Sequence, residues 1–286
     1  MAAPREIDVL HLGRPKVICC YELDGILVDP GPEVCHRTLV GALDEAGIEP
    51  HTILLTHIHL DHAGATGALV RRWPDLQVYV HERGAPHVID PSKLVASAQR
   101  IYGDDLPRLW GEIVPVPEDH VHVLSGDEGT AIDGWSWFYA PGHASHHVVY
   151  LHEPTRTAFT GDVAGIRIAG GPVYPPTPPP DIDLELWRAT LDEVEARSPS
   201  AVAGTHFGRY TDVGEQLAQA RKALSRWGER ARETTDEEFQ QFVRGELEAS
   251  VTDDAVREAY LQANPPETLW AGLARYWEKA GTLRPR

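Results

Sequence analysis

The chain has 286 residues, 42% of them hydrophobic, so it can bury a sizeable core. Its length exceeds the ~100–150 residues of a typical domain but lies near the ~250 that α/β folds reach as one unit. A formal charge of −17, from 43 acidic and 26 basic residues, opposes nucleic acid or anionic membrane as a partner, since both select a basic surface. No apolar run approaches the ~18 residues of a membrane-spanning helix. Met1-Ala2-Ala3-Pro4-Arg5-Glu6 leads into no apolar stretch of signal-peptide length. With three cysteines, Cys19, Cys20 and Cys35, these features predict reduced thiols and a cytoplasmic protein. Cys19 and Cys20 lie in a strand-like run and read as core packing.

In chain order, residues 7–12 and 16–23 read as strands, and Asp24-Gly25 is a hairpin signal leading into Ile26-Leu27-Val28. A turn at Asp29-Pro30-Gly31-Pro32 precedes a helix over 34–47, then a strand at 52–55, a helix from Ala63 to Trp73 stopped by Pro74, and a strand from Leu76 to Val80. Residues 82–111 are mostly helical with breaks and are placed to form a lid. Between 121 and 160 the pattern becomes short strands with turn signals at Ser125-Gly126-Asp127, Asp133-Gly134 and Glu153-Pro154, which predict consecutive hairpins. Six prolines fall within residues 172–180. That segment reads either as a stiff polyproline linker or as a rigid pocket wall carrying Tyr174 toward the site. Residues 183–197 form an amphipathic helix, and 212–232, 235–247, 253–262 and 266–280 are helical, with Trp227, Trp270, Tyr276 and Trp277 read mainly as core.

The chemistry concentrates at strand ends. Thr56-His57-Ile58-His59-Leu60-Asp61-His62 follows the apolar run Ile53-Leu54-Leu55 and packs three imidazoles and a carboxylate into six residues. These are the usual ligands of zinc and other first-row metals. Burying so many polar groups unpaired would cost several kcal/mol, so a metal site explains them better than a core does. His143, Asp162 and His206 each follow another strand-like run beside a glycine, in Pro141-Gly142-His143, Thr160-Gly161-Asp162 and Gly204-Thr205-His206. Ligands delivered from several strand ends are how a scaffold makes a rigid site from loops. No Gly-x-Ser-x-Gly nucleophile motif occurs. Ser145 and His146 lie near the site in sequence, and His146 is a weak candidate to face it. His81, His87, His120, His122 and His152 read as ordinary surface or core histidines.

The order HxHxDH, then His, Asp and His, resembles the metallo-β-lactamase superfamily over residues 7–210. The resemblance implies an α/β fold, a four-layer αβ/βα sandwich over residues 1–210, with 211–286 a helical C-terminal extension packed on the same domain. It implies two divalent ions, most simply zinc, with manganese or iron as alternatives. His57, His59 and His143 would hold the first, Asp61, His62 and His206 the second, and Asp162 would bridge them. Paired ions lower the pKa of a bound water toward about 7 and polarise a substrate oxygen, so a bridging hydroxide can attack without a covalent enzyme intermediate. Asp61 could steer a proton, and Tyr174 is the nearest tyrosine after Asp162 that could contact substrate.

The ligand set resembles the glyoxalase II and lactonase branches. The cysteine that well-known β-lactamases carry at position 162 is an aspartate here, and no tyrosine stands a few residues after Asp162 as in quorum-quenching lactonases. The expectation is a dinuclear hydrolase of a small ester, thioester or lactone. A mononuclear iron persulfide dioxygenase using His57, His143 and Asp162 is the first alternative, and a metal-stabilised binding protein without turnover the second. The expected partner is a small molecule with an apolar acyl part, with no nucleic acid and no membrane. The tryptophan-bearing tail offers a candidate interface for a homodimer, closed dimers being the commonest assembly.

Overall fold

The computed structural model describes residues 3–283, so Met1-Ala2 and residues 284–286, including the start of the N-terminal stretch read above, lie outside the described residues. The chain divides into two compact units, the first comprising residues 1–139 and 146–155, the second 140–145 and 156–286.

Unit 1 opens with β1 (Arg5–Asp8), β2 (Cys19–Leu23) and β3 (Ile26–Val28), followed by α1 (His36–Ala46), β4 (Thr52–Leu54), α2 (Leu60–Ala63), α3 (Thr66–Arg72) and β5 (Gln77–His81). Three helices, α4 (Ala85–Ile89), α5 (Ser92–Tyr102) and α6 (Leu106–Trp110), lead to β6 (Val121–Leu124), β7 (Glu128–Ile132), β8 (Trp135–Tyr139) and β9 (Val148–His152). Strands β1 to β6 form one sheet in chain order, antiparallel through β1-β2-β3 and parallel through β3-β4-β5-β6. Its central strands are apolar and buried along their length, as parallel strands covered on both faces must be.

Strand β1 stops at Asp8, short of the strand expected over 7–12. The Asp8 carboxylate accepts the backbone N–H of Leu10 (3.1 Å) and of Lys16 (2.7 Å), giving the chain a local alternative to the ladder. Leu10 and Leu12 consequently take φ of 53° and project outward, 43% and 45% exposed. Of the helix expected over 63–73, α3 covers Thr66–Arg72, and α2 ends at Ala63; between them the Ala65 N–H bonds the Gly31 carbonyl (2.9 Å) instead of a helical acceptor. Of the expected hairpins, Asp133-Gly134 closes β7 onto β8, and β8 pairs antiparallel with β9. Ser125-Gly126-Asp127 makes no hairpin, since β6 pairs with β5 while β7 pairs with β8.

Unit 2 contains β10 (Thr157–Gly161), α7 (Leu184–Ala196), β11 (Ala201–Gly204), β12 (Gly208–Tyr210), α8 (Val213–Glu233), α9 (Asp236–Ser250), α10 (Asp254–Ala263) and α11 (Trp270–Lys279). β10 runs parallel to β11, which turns antiparallel into β12. The tail is helical as expected. Helix α8 buries Leu217, Ala220, Leu224, Trp227 and Ala231 at helical spacing, and α9 starts with a capping box between Thr235 and Glu238. Trp227 is fully buried and donates its indole N–H to Glu246 at 2.9 Å.

The tail also grips the proline-rich segment. Tyr260 receives the Ile168 N–H (2.9 Å) and donates to the Pro172 carbonyl (2.7 Å), while Thr177 donates to the Leu269 carbonyl (3.0 Å). Replacing Trp227 with alanine should remove this packing and cost about 3–5 kcal/mol, read as a lowered urea midpoint by circular dichroism.

Candidate metal centre

In unit 1 the histidine motif turns a corner. His59 is extended (φ −60°, ψ 151°), and α2 begins at Leu60. His59 therefore projects from extended chain, and Asp61 and His62 from the following helical turn. The key residue behind them is Asp29, fully buried at the end of β3. It accepts from the Thr56 backbone N–H (2.8 Å), the Thr56 hydroxyl (2.7 Å) and His62 Nδ1 (2.8 Å).

These bonds set the ring tautomers. A carboxylate only accepts, so His62 carries its proton on Nδ1 and presents Nε2. The Thr56 hydroxyl spends its one proton on Asp29, so its oxygen, 3.1 Å from His57 Nδ1, accepts from that ring. His57 thus also presents Nε2, which lies 3.0 Å from His59 Nδ1. His62 Nε2 lies 3.8 Å from Asp61 Oδ2. Asp29, His57 and His62 each offer a donor atom within 4.8 Å of the others. With its oxygens already engaged, Asp29 acts on the rings as their orienting acceptor. Sequence reasoning assigned it to a turn; its only signal was a carboxylate closing an apolar strand.

Unit 2 repeats the device with a different acceptor. The Pro176 carbonyl is 3.0 Å from His143 Nδ1, so that ring presents Nε2, which lies 3.3 Å from Asp162 Oδ2. The other oxygen, Oδ1, is 3.7 Å from His206 Nε2. His143, Asp162 and His206 are all at least 97% buried, at 1%, 3% and 3% exposure. Gly142 places His143: with φ 126°, a Cβ there would come within 2.4 Å of the Trp187 backbone. The indole of Trp187 meets the His143 ring edge-on at 5.4 Å and donates to the Val163 carbonyl (2.7 Å).

A ring lone pair facing a carboxylate oxygen or another ring nitrogen needs a proton or a metal cation between the two atoms. Ligand bonds of about 2.0–2.1 Å in a tetrahedron separate neighbouring donor atoms by about 3.3–3.4 Å. The observed separations of 3.0 to 3.8 Å bracket that value, so the donor sets fit divalent metal.

Tyr174 is placed elsewhere. Its ring stacks on Trp227 (5.2 Å between centroids) and meets Tyr260 edge-on, and burial raises its pKa. From the proline-rich segment it is the Pro176 carbonyl, not this tyrosine, that bonds a site histidine. His147 stacks on His57 at 4.7 Å, and His146 Nδ1 faces the Ile58 N–H at 3.4 Å. Ser145 donates to Asp181 and braces the loop. His81 stacks on Tyr139 and His152 bonds Thr155, as ordinary packing histidines do. All three cysteines are buried, and burial pushes the Cys35 thiol up to about 12, so none is a thiolate at neutral pH.

The model of the metallo-beta-lactamase superfamily matches residues 17–206, well over half of the chain. The chain belongs to the metallo-beta-lactamase superfamily. Its fold is the α/β sandwich of that superfamily, mixed sheets with flanking helices, plus C-terminal helices. Among curated relatives, the metallo-beta-lactamase fold-containing protein ST1585 of Sulfurisphaera tokodaii is 31% identical over 161 residues, 54% of this chain and 60% of its own. A hydroxyacylglutathione hydrolase of Legionella pneumophila is 29% identical over 143 residues, 49% of this chain and 44% of its own. The chain thus spans about half the length of the curated relatives it matches. The crystal structure of ST1585 superposes with a TM-score of 0.69 at 23% identity, covering 96% of this chain and 98% of that one. The structure of TTHA1623 in a di-iron-bound form gives 0.57 at 26% identity, covering 76% and 98%. Metal-dependent hydrolases dominate this superfamily, and among the described residues no helix is long and apolar enough to cross a membrane.

Replacing Asp29 with alanine should loosen both His57 and His62 and weaken metal binding by about 10–100-fold, measured by competition with a chromophoric chelator.

Proposed function

We propose that this protein is a dinuclear metal-dependent hydrolase of a small ester, thioester or lactone. The observation that carries the reading is Asp162, whose two oxygens face two different imidazoles, His143 and His206. A carboxylate placed between two imidazoles in this way could serve two ions, one on each side. The ligand division follows the family order, with His57, His59 and His143 for one ion, Asp61, His62 and His206 for the other, and Asp162 shared. Two divalent ions bound there supply hydroxide at neutral pH and a Lewis acid for the substrate oxygen.

The chain's own residues do the rest. Asp29 and Pro176 hold the rings of His62 and His143 in the ligating tautomer. Asp61, at the start of α2, keeps a carboxylate at the site to take up and pass a proton. The similarity to hydroxyacylglutathione hydrolases supports an acyl substrate, thioesters included. The net charge of −17 favours a neutral or weakly charged molecule over a polyanion.

Metal-loaded protein should hydrolyse at least one member of a panel of short-chain thioesters, esters and lactones. Replacing Asp61 with alanine should lower kcat at least 100-fold (about 10²–10⁴ for a proton-transfer group) with an unchanged melting temperature. Inactivity of the loaded wild type across the panel would sink the proposal.

A further inference from the structure

His206 lies in the turn between β11 and β12, with its Nε2 facing Asp162 Oδ1 at 3.7 Å. A neighbouring piece of backbone holds that turn. The Arg167 N–H donates to the His206 carbonyl (2.8 Å), and the Phe207 N–H donates to the Arg167 carbonyl (3.2 Å). Both polar groups of the peptide joining His206 to Phe207 are thus spent on Arg167. The stretch leading to Arg167 is itself held. The Gly165 N–H closes a turn onto the Asp162 carbonyl (3.0 Å), and Ile166 exchanges two backbone bonds with Tyr174 (2.8 and 3.0 Å).

The Arg167 side chain, 10% exposed, fastens this brace to the start of α8. Its Nη1 donates to Asp212 Oδ1 (2.9 Å) and Gln216 Oε1 (3.2 Å), and its Nη2 meets Asp212 Oδ2 (2.9 Å). The guanidinium lies over the Tyr210 ring, 4.2 Å from its centroid, and the Tyr210 hydroxyl donates to the Arg167 carbonyl (3.0 Å). Gln216 is buried and donates in turn to the Ala164 carbonyl (2.9 Å). An ion pair of this kind adds little net stability, because taking its charges out of water offsets their attraction. What the planar fork fixes is direction. It allows one placement of Arg167 on α8, and the paired bonds carry that placement to the peptide at His206.

We propose that Arg167 is a positioning residue for His206, its clamped guanidinium holding the backbone that aims this imidazole at a metal ion. The role rests on His206 being a metal ligand, as in the hydrolase reading, and is independent of the substrate and of the number of ions. Ile166 stays bonded to Tyr174 when the guanidinium is lost, so the effect falls on the His206 side of the brace.

The test is stepwise zinc affinity, measured by competition with a chromophoric chelator on wild type, Arg167→Met, Arg167→Lys and Arg221→Met. His206→Ala marks the step that His206 serves. Arg221 is the control, since it also anchors α8, through Asp192 and Glu195 of α7. The proposal expects Arg167→Met to weaken the His206 step about tenfold or more, with the other step, and both steps of Arg221→Met, within about twofold of wild type. Arg167→Lys keeps the charge without the fork and should fall between the two. A His206 step within about twofold of wild type in Arg167→Met overturns the proposal. So does an equal loss at both steps, or an equal loss in Arg221→Met, either of which would make Arg167 an ordinary anchor of the fold. If His206→Ala alters no step, the proposal falls with it. If Arg167→Met does not fold, Arg167→Lys decides: a loss of about threefold or more at the His206 step is expected, and a smaller one overturns the proposal. A wild type that binds one ion would contradict the dinuclear reading alone, and Arg167 would then be judged by the same tenfold criterion, about 10-fold, on that ion.

Discussion

Imidazole rings locked in one tautomer are the constraint on which the rest of this structure depends. A neutral histidine offers one lone pair, and the partner of its other nitrogen decides which. Asp29 settles the matter for His62 directly and for His57 through the Thr56 hydroxyl. The Pro176 carbonyl settles it for His143. Once the outer nitrogens of His57, His62 and His143 are spent on acceptors, their Nε2 atoms face a ring nitrogen or a carboxylate oxygen across 3.0–3.8 Å. Burying such an array without a proton or a cation between the facing atoms would cost several kcal/mol.

The supports of this array run deep into each unit. In unit 1, Asp29 closes β3 and the histidine motif follows β4, its parallel neighbour, so a sheet ladder fixes acceptor and rings together. In unit 2 the support is longer. Helices α8 to α11 pack through Trp227 and Tyr260, Tyr260 and Leu269 hold the proline-rich segment, and that segment presents the Pro176 carbonyl to His143. Proline suits the task because its fixed φ costs little entropy to order. The helical tail is thus tied to the candidate site through the Pro176 carbonyl.

Much of this was legible in the sequence, and the exceptions have physical causes. The strand-end motifs, the tail helices and the α/β class follow from apolar runs, helical spacing and capping residues, all local signals. Strand β1 was read too long because Asp8 captures backbone donors at Leu10 and Lys16, a contact no hydrophobic pattern records. Asp29 was invisible as an orienting group because its partners, Thr56 and His62, lie 27 and 33 residues away. Tyr174 drew attention for its closeness in sequence to Asp162, yet its ring is spent on Trp227.

The central claim is that Asp162 joins two metal centres. Elemental analysis of protein purified without added metal or chelator tests it most directly, together with the same measurement on Asp162→Ala. The account predicts about two divalent ions per chain, typical of a paired hydrolytic site, and loss of at least one of them in the variant. A single iron per chain, or a variant that retains both ions, would contradict it.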